Sequence, residues 1–595
     1  MIEQILTNTV FKAVLSIYGQ KPSGNLVQIQ KTRSEFEGDF TIVVFPLLKI
    51  SKTAPEKTAE DIGNYIVSQL SEVTSYNIIK GFLNLVISHK YWSDFFQQNV
   101  SNKNFGRHIE KSGDPTVIEY SSPNTNKPLH LGHIRNNLLG WSVAEILKNN
   151  GQSVKKVNLV NDRGIHICKS MLAWQKWGNN TTPETTNTKG DKFVGEYYVL
   201  FDKKNKLEIS SLIEDGIDKS EASNTTPLML EAKQMLKDWE NENVEIRHLW
   251  KNMNQWVYNG MDTTYLRMGI DFDTIYYESE TYLLGKRLVQ EGLDSGIFFQ
   301  KSDGSIWCDL SKDEMDEKLL MRADGTSVYI TQDLGTAQLR YDDYHPSELI
   351  YVVGNEQNYH FDVLKIILQK LGRKWAEHIN HLSYGMVELP HGKMKSREGT
   401  IVDADDLMDE MYSTAVKTSE ELGKFDDFTK EEAVELYNMI SLGALKYFIL
   451  KVDPKKTMTF NPSESIDFNG NTGPFIQYTH ARIRSIIRKS KSLSIDSSHD
   501  NSIEYSFEPK EISVLKLLHD YPDITKQAAD SLSPALIANY VYELAKEYNQ
   551  FYHEVVILKE SDEAKRNFRI ALSEFTGNTI KSGMALLGIK VPERM

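Results

Sequence analysis

Two cysteines, Cys168 and Cys308, are all that the 595 residues contain. One pair cannot frame a disulfide-stapled fold or a four-cysteine zinc site, so a cytoplasmic home and no zinc are expected. No uninterrupted apolar stretch approaches the roughly 18 residues that span a bilayer, so no membrane partner is expected. The opening MIEQILTNTVFKAVLSIYG carries Glu3 early and no basic region ahead of an apolar core, which predicts a helix start in place of a signal peptide. Positive charge is in deficit: 68 Lys+Arg face 82 Asp+Glu, a net of −14, which argues against coating DNA or RNA non-specifically. A nucleic-acid enzyme is not excluded, because local basic patches decide phosphate contact. A P-loop is missing as well, since no G-x-x-x-x-G-K-[ST] segment occurs.

What is present is ordinary globular material, 40% hydrophobic and 25% charged, in a chain too long for one core. Residues 1–105 read as a small α+β unit. Segments 40–47 (FTIVVFPL) and 82–88 (FLNLVIS) look like strands, and Thr53-Ala54-Pro55-Glu56 resembles a capping box opening a helix through Ile62, Ile66 and Leu70. Strands are expected at 117–120, 156–160, 327–331 and 349–353, each followed by a turn and a helical pattern; a helix is expected at about 131–148, with Gly151 as its stop. Alternating strands and helices imply a doubly wound, Rossmann-like parallel sheet over residues 106–390. An insertion at about 175–270 includes the Thr/Asn-rich 179–188 and an acidic stretch at 207–224. A connecting region, 391–470, leads to a helical bundle, 471–595, with a polar interruption at 495–504.

The stretch EYSSPNTNKPLHLGHIRN, residues 119–136, carries the most chemistry. His130 and His133 lie three apart at the mouth of a helix, so both rings can face one point. That point sits past a parallel strand's carboxyl end and at a helix N-terminus, where bare N–H groups attract phosphate. Gly132 between them lets a flat group approach the backbone. Taken alone, H-x-x-H reads as readily as two surface histidines, or half of a metal pair, as it does as a phosphate site. The strand, Pro/Asn loop, Lys127 and helix around it weigh against that.

HLGH resembles the HIGH signature of class I aminoacyl-tRNA synthetases, with Leu131 for isoleucine. The partner signature, KMSKS, resembles Lys393-Met394-Lys395-Ser396-Arg397, after the sheet and before the helical end. Lysine and imidazole donors there stabilise charge that builds on phosphate in the transition state. Ser396 departs from the signature's second lysine, as in many arginine enzymes, which compensate with a lysine upstream of HIGH; Lys127 matches that position. The resemblance to arginyl-tRNA synthetases implies catalytic roles for His130, His133, Lys127, Lys393 and Lys395. It implies ATP contacts from His130, Gly132, His133, His360, Lys393 and Met394.

Arginine is a planar cation with five donors, so its pocket needs carboxylates. The family's guanidinium-binding Glu, Tyr and Asp match Glu119, Tyr329 and Asp333, and its other arginine contacts match Asn124 and Gln357. Each has a bland reading: Glu119 capping a neighbour, Asp333 N-capping a helix, His360 packed in a core. Segment 158–164 (NLVNDRG) resembles the family's Gly-Asp-Trp-Gly turn, with Asn161 and Arg163 departing from it. Segment 473–482 (GPFIQYTHAR) resembles the start of the anticodon-binding bundle. Arg482, Arg484, Arg488 and Tyr540 are candidates for tRNA contact, against the ordinary reading of solvated arginines and core tyrosine. The resemblance, which runs to the GIKVPERM end, implies tRNA(Arg), L-arginine and ATP with Mg2+ as partners and a monomer, with the first unit touching the tRNA elbow.

Overall fold

The computed structural model describes residues 2–33, 35–109, 113–388, 402–421, 428–493 and 506–595. They form two compact units: 1–105 with 486–520 and 547–576, and 106–485 with 521–546 and 577–595.

In the first unit an antiparallel sheet runs in the order Gln28–Lys31, Phe40–Val43, Phe82–Ile87, Val73–Ile79. Helices Ile2–Tyr18 and Pro55–Gln69 bury Leu6, Val10 and Ala13, and Ala59, Ile62 and Ile66, at the three- and four-residue spacing of one helical face. The expected strand at 40–47 stops at Val43, where Phe45–Leu47 turns into a 3-10 helix around Pro46. The capping box at Thr53 does not form. Ala54 is the N-cap and makes no side-chain cap bond, while the Thr53 and Thr58 hydroxyls pair at 2.8 Å. Pro55 does occupy the first turn, where its missing N–H costs nothing.

The second unit contains, in chain order, β1 (Thr116–Glu119), α1 (Leu131–Asn149), β2 (Val154–Val160), α2 (Ile165–Trp177), insertion helices α3 (Gly190–Glu214) and α4 (Val244–Met268), β3 (Thr274–Tyr277), α5 (Tyr329–Tyr344), β4 (Glu348–Gly354), α6 (Asn358–Lys370), β5 (Ile379–Tyr384), α7 (Ala404–Glu421), α8 (Lys430–Leu450) and the start of α9 (Gly473–Ser492). The sheet order is β5–β4–β1–β2–β3, with every neighbouring pair parallel. The chain winds outward in one direction from β1 and in the other from β4. The winding therefore reverses between these neighbours, and that is where doubly wound sheets open a crevice at their carboxyl ends. Val117, Val157, Leu349 and Tyr351 of the strands pack with Val363, Leu364 and Ile367 of α6 to close one face.

One expected strand is absent. Residues 327–331 (SVYIT) are rich in β-branched and aromatic side chains, yet α5 begins at Tyr329. Tertiary packing decides this. A Cβ on Gly285 would run into the Thr331 carbonyl, and one on Gly335 into the Gly285 backbone, so α5 and helix Leu284–Asp294 meet backbone to backbone. α8 is the one helix among the described residues long and apolar enough to cross a membrane, and 56% of that window is buried inside the fold. The C-terminal region is helical, through Pro509–Asp530, Pro534–Glu554 and Glu563–Leu586. The polar interruption at 495–504 lies outside the described residues.

Candidate active site

The turn from β1 into α1 is held under strain. Ser121 and Ser122 both have positive φ, 80° and 46°, a region that L-residues avoid. Neighbours over-determine the turn: the Ser121 N–H donates to Asn136 Oδ1 at 2.5 Å and the Ser122 N–H to Asn158 Oδ1 at 3.0 Å. Asn161, at the end of β2, donates through its N–H to the Pro123 carbonyl (2.9 Å) and accepts from the Thr125 N–H (3.1 Å). Asn124, exposed on this turn, forms an isolated parallel bridge with Asn161.

Beyond the turn, His130 is the N-cap of α1. Its Nδ1 accepts from the Gly132 N–H, and His133 Nδ1 accepts from the His130 N–H, both at 3.1 Å. The ring centroids are 3.9 Å apart. Burial, with Lys127 adding like charge, pushes His130 down to about 3. Burial, then His130 and Lys127, hold His133 well below its usual value. Both rings are therefore neutral, and because each Nδ1 accepts a main-chain proton, each ring's own proton resides on Nε2. The helix mouth thus presents two uncharged Nε2–H donors, while its first backbone N–H groups are already taken by the His130 ring and the Val402 carbonyl. Gly132 has a reason of its own: a Cβ there would stand 3.0 Å from His130 Cε1, so the glycine makes room for the capping ring. Burial also lowers Lys127.

Acidic side chains gather at the same carboxyl edge of the sheet. Glu119, at the end of β1, is 7% exposed and ion-pairs with Arg340 of α5; Ser122 Oγ donates to its Oε1 at 3.0 Å. Arg340 Nη1 in turn donates to Tyr351 Oη at 3.2 Å. Asp333 lies one turn into α5, four residues after Tyr329, so the two share a face. His360 Nε2 meets Asp333 Oδ2 at 2.6 Å, which joins His360 to the acidic group. Tyr329 is 81% exposed. Gln357, in the turn after β4, is exposed as well.

One residue of this cluster, Glu278, was not singled out from sequence, whereas Asp162 was a candidate arginine contact through the resemblance of segment 158–164. Glu278 follows β3, and burial raises it to about 7, with Arg163 opposing and Asp162 and Asp333 adding to the shift. Its position after a parallel strand is the signal that could have found it. Asp162 is a buckle: its carboxylate accepts from the Ser279 N–H (2.8 Å), Ser279 Oγ (2.7 Å) and Tyr258 Oη (2.9 Å). Those bonds fix the residue beside Glu278.

The lysine segment, with Lys393, Met394, Lys395, Ser396 and Arg397, lies outside the described residues, but what precedes and follows it is fixed at α1. Before it, Val387–Glu388 pairs in parallel with Met458–Thr459, and Arg135 of α1 donates to the carbonyls of Met386, Pro454 and Lys456 at 2.8–3.2 Å. After it, the Leu131 N–H donates to the Val402 carbonyl (3.2 Å) and the Ala404 N–H to the Leu129 carbonyl (2.9 Å).

On the helical end, the Arg482 guanidinium stands 5.0 Å from the Tyr478 ring centre, and Arg484 Nε is 2.6 Å from Glu593 Oε2. Arg488 is exposed. Tyr540 requires correction as a base-stacking candidate: it is 7% exposed and stacks on Tyr521 with centroids 5.3 Å apart, which leaves no face for an unpaired base.

Known proteins agree with this architecture. Residues 96–461 match the family model described as "tRNA synthetases class I (R), catalytic domain", so the chain belongs to the class I aminoacyl-tRNA synthetases. Residues 476–595 match the DALR anticodon binding domain. Proteins named arginine–tRNA ligase from Parabacteroides distasonis and Bacteroides thetaiotaomicron are each 56% identical, over the whole of both chains. Within that class the chain belongs to the arginyl-tRNA synthetase family. The solved Thermus thermophilus arginyl-tRNA synthetase has the same fold, with a TM-score of 0.80 at 22% identity over the full length of both chains.

Proposed function

We propose that the protein is an arginine–tRNA ligase that activates L-arginine with Mg2+–ATP and transfers it to the 2′-hydroxyl of the terminal adenosine of tRNA(Arg). The observation that carries this reading is the pair of neutral imidazole donors at the mouth of α1, the helix that follows β1 and its terminal acid Glu119. In the first step an arginine carboxylate oxygen bonds to the α-phosphorus of ATP and the bond to the bridging oxygen breaks, releasing pyrophosphate. His130 and His133 donate through Nε2 to phosphate oxygens, Lys127 adds charge, and Lys393 and Lys395 of the neighbouring segment complete the neutralisation. In the second step the ribose hydroxyl attacks the adenylate carbonyl and AMP leaves. Orientation and charge stabilisation suffice, with no covalent enzyme intermediate.

Asp333 is the carboxylate offered to the guanidinium. Glu119 shares its charge with Arg340 and contributes the lone pairs that remain, Tyr329 supplies a face, and Asn124 and Gln357 hold the amino-acid end. Arg482, Arg484 and Arg488 meet tRNA phosphates, and the protein works as a cytoplasmic monomer. Charging assays with total tRNA and each of the twenty amino acids test the reading. Arginine alone should be esterified; charging with lysine, or tRNA binding without charging, would overturn it.

A further inference from the structure

The insertion helices grip the segment that carries Lys127 and His130, and the grip is ionic at its centre. Lys189, the N-cap of α3, reaches three acceptors with its Nζ: Asp191 Oδ2 (2.9 Å), Thr264 Oγ1 of α4 (2.5 Å) and Asp405 Oδ2 of α7 (2.6 Å). Thr264 Oγ1 donates to the same Asp405 oxygen at 2.9 Å. Arg267, also on α4, ion-pairs with Asp409 at 2.7 Å and lies 3.8 Å from Asp405. Asp405 then turns the cluster toward the helix mouth, because its N–H donates to Asp403 Oδ1 at 2.8 Å and Asp403 is the antiparallel bridge partner of His130. Two glycines make the approach possible. A Cβ on Gly195 of α3 would stand 2.9 Å from Pro128 Cδ, and one on Gly260 of α4 would stand 2.5 Å from Asp191 Oδ1. The insertion therefore touches Lys127–Pro128 directly and residues 403–405 through charge.

We propose that Lys189, Asp405 and Arg267 form a latch by which the insertion sets the position of the His130 cap and the Lys127 ammonium. They are positioning residues for adenylate formation and do not touch the substrates. The inference rests on the reading that His130 and Lys127 act on ATP. A latch of this kind moves kcat and the ATP requirement and spares arginine affinity, since its connections lead to the imidazole side of the cleft and not to Asp333.

The test uses the full chain with tRNA present, in ATP–pyrophosphate exchange, after thermal melts establish that each variant is folded. Lys189→Met and Asp405→Asn should each lower kcat about tenfold while the arginine KM stays within about twofold, and Lys189→Arg should recover most of the loss. The deciding measurement is a mutant cycle. If the latch acts through His130 and Lys127, Lys189→Met on top of the paired His130→Ala and Lys127→Ala removes no more than about a further twofold; independent defects would multiply. Multiplying losses, or parent-like kcat in Asp405→Asn, would overturn the latch. Should Lys189→Met not fold, Asp405→Asn carries the same cycle. Parent-like exchange by His130→Ala would take down the reading of the site itself, and the latch with it, which is a different result from a slow His130→Ala beside a fast Asp405→Asn.

Discussion

Removing the Asp333 carboxylate should separate the two small substrates. Glu119 is already paired with the protein's own Arg340, so its charge is largely spoken for. The Asp333 side chain is 37% exposed and, among the described residues, pairs only with His360, which leaves lone pairs for a guanidinium fork. Charge-assisted hydrogen bonds contribute about 1.5–3 kcal/mol each. Truncating one partner of such a pair costs about 2–5 kcal/mol, with the lower half of that range fitting a carboxylate this accessible to solvent. Taking about 3 kcal/mol, and 1.36 kcal/mol per factor of ten, Asp333→Ala should raise the arginine KM roughly 150-fold. The ATP KM should stay within about threefold, because the imidazoles and Lys127 are untouched. Asp333→Asn keeps the shape and an acceptor for His360 but removes the charge, and should fall between parent and alanine variant. Exchange assays that vary arginine and ATP separately give both constants. An unchanged arginine KM, or an ATP KM that rises equally, would refute the assignment.

Lys127→Ala should lower the exchange rate at least tenfold, the order expected for one donor aimed at transition-state charge; a near-parent rate would remove Lys127 from the mechanism. Glu278, held near 7 by burial, should make arginine binding improve as pH rises from 6 to 8, because ionisation adds negative charge beside the guanidinium. That slope in arginine KM should vanish in Glu278→Gln. His480 is buried with Nδ1 2.9 Å from the Pro592 carbonyl and is depressed to about 4 by burial. The unfolded chain therefore binds the extra proton below about pH 6.5, so stability is lost as pH falls through that range, by about 2 kcal/mol at pH 5. Urea melts at pH 7 and pH 5 should show it, and His480→Gln should flatten the difference.

How much of this was legible in the chain depended on whether the signal was local. The β1 turn, HLGH and the capped helix were readable because strand, turn and helix mouth are consecutive in sequence. The two histidines' tautomers were not, since they follow from which main-chain N–H each Nδ1 accepts. Segment 327–331 misled because β-branched residues favour strands locally, whereas the close approach of Gly285 and Gly335 that makes it helical lies between two helices. The pairing of Glu119 with Arg340 joins residues far apart in the chain, and nothing in their spacing announces it. Tyr540 looked like a stacking platform because an amphipathic helix with tyrosines reads the same whether its rings face RNA or a core. Glu278 lies in no motif, and its burial beside Asp162 comes from packing that the local segment YYESE does not announce.

The two serines of the β1 turn carry a further implication. A non-glycine pair in the left-handed region is a bent spring, and Asn136, Asn158 and Asn161 are the clips that keep it bent. Those clips close when the sheet forms, before any nucleotide arrives. The floor on which ATP would rest is therefore built during folding, and binding free energy need not be diverted into shaping it.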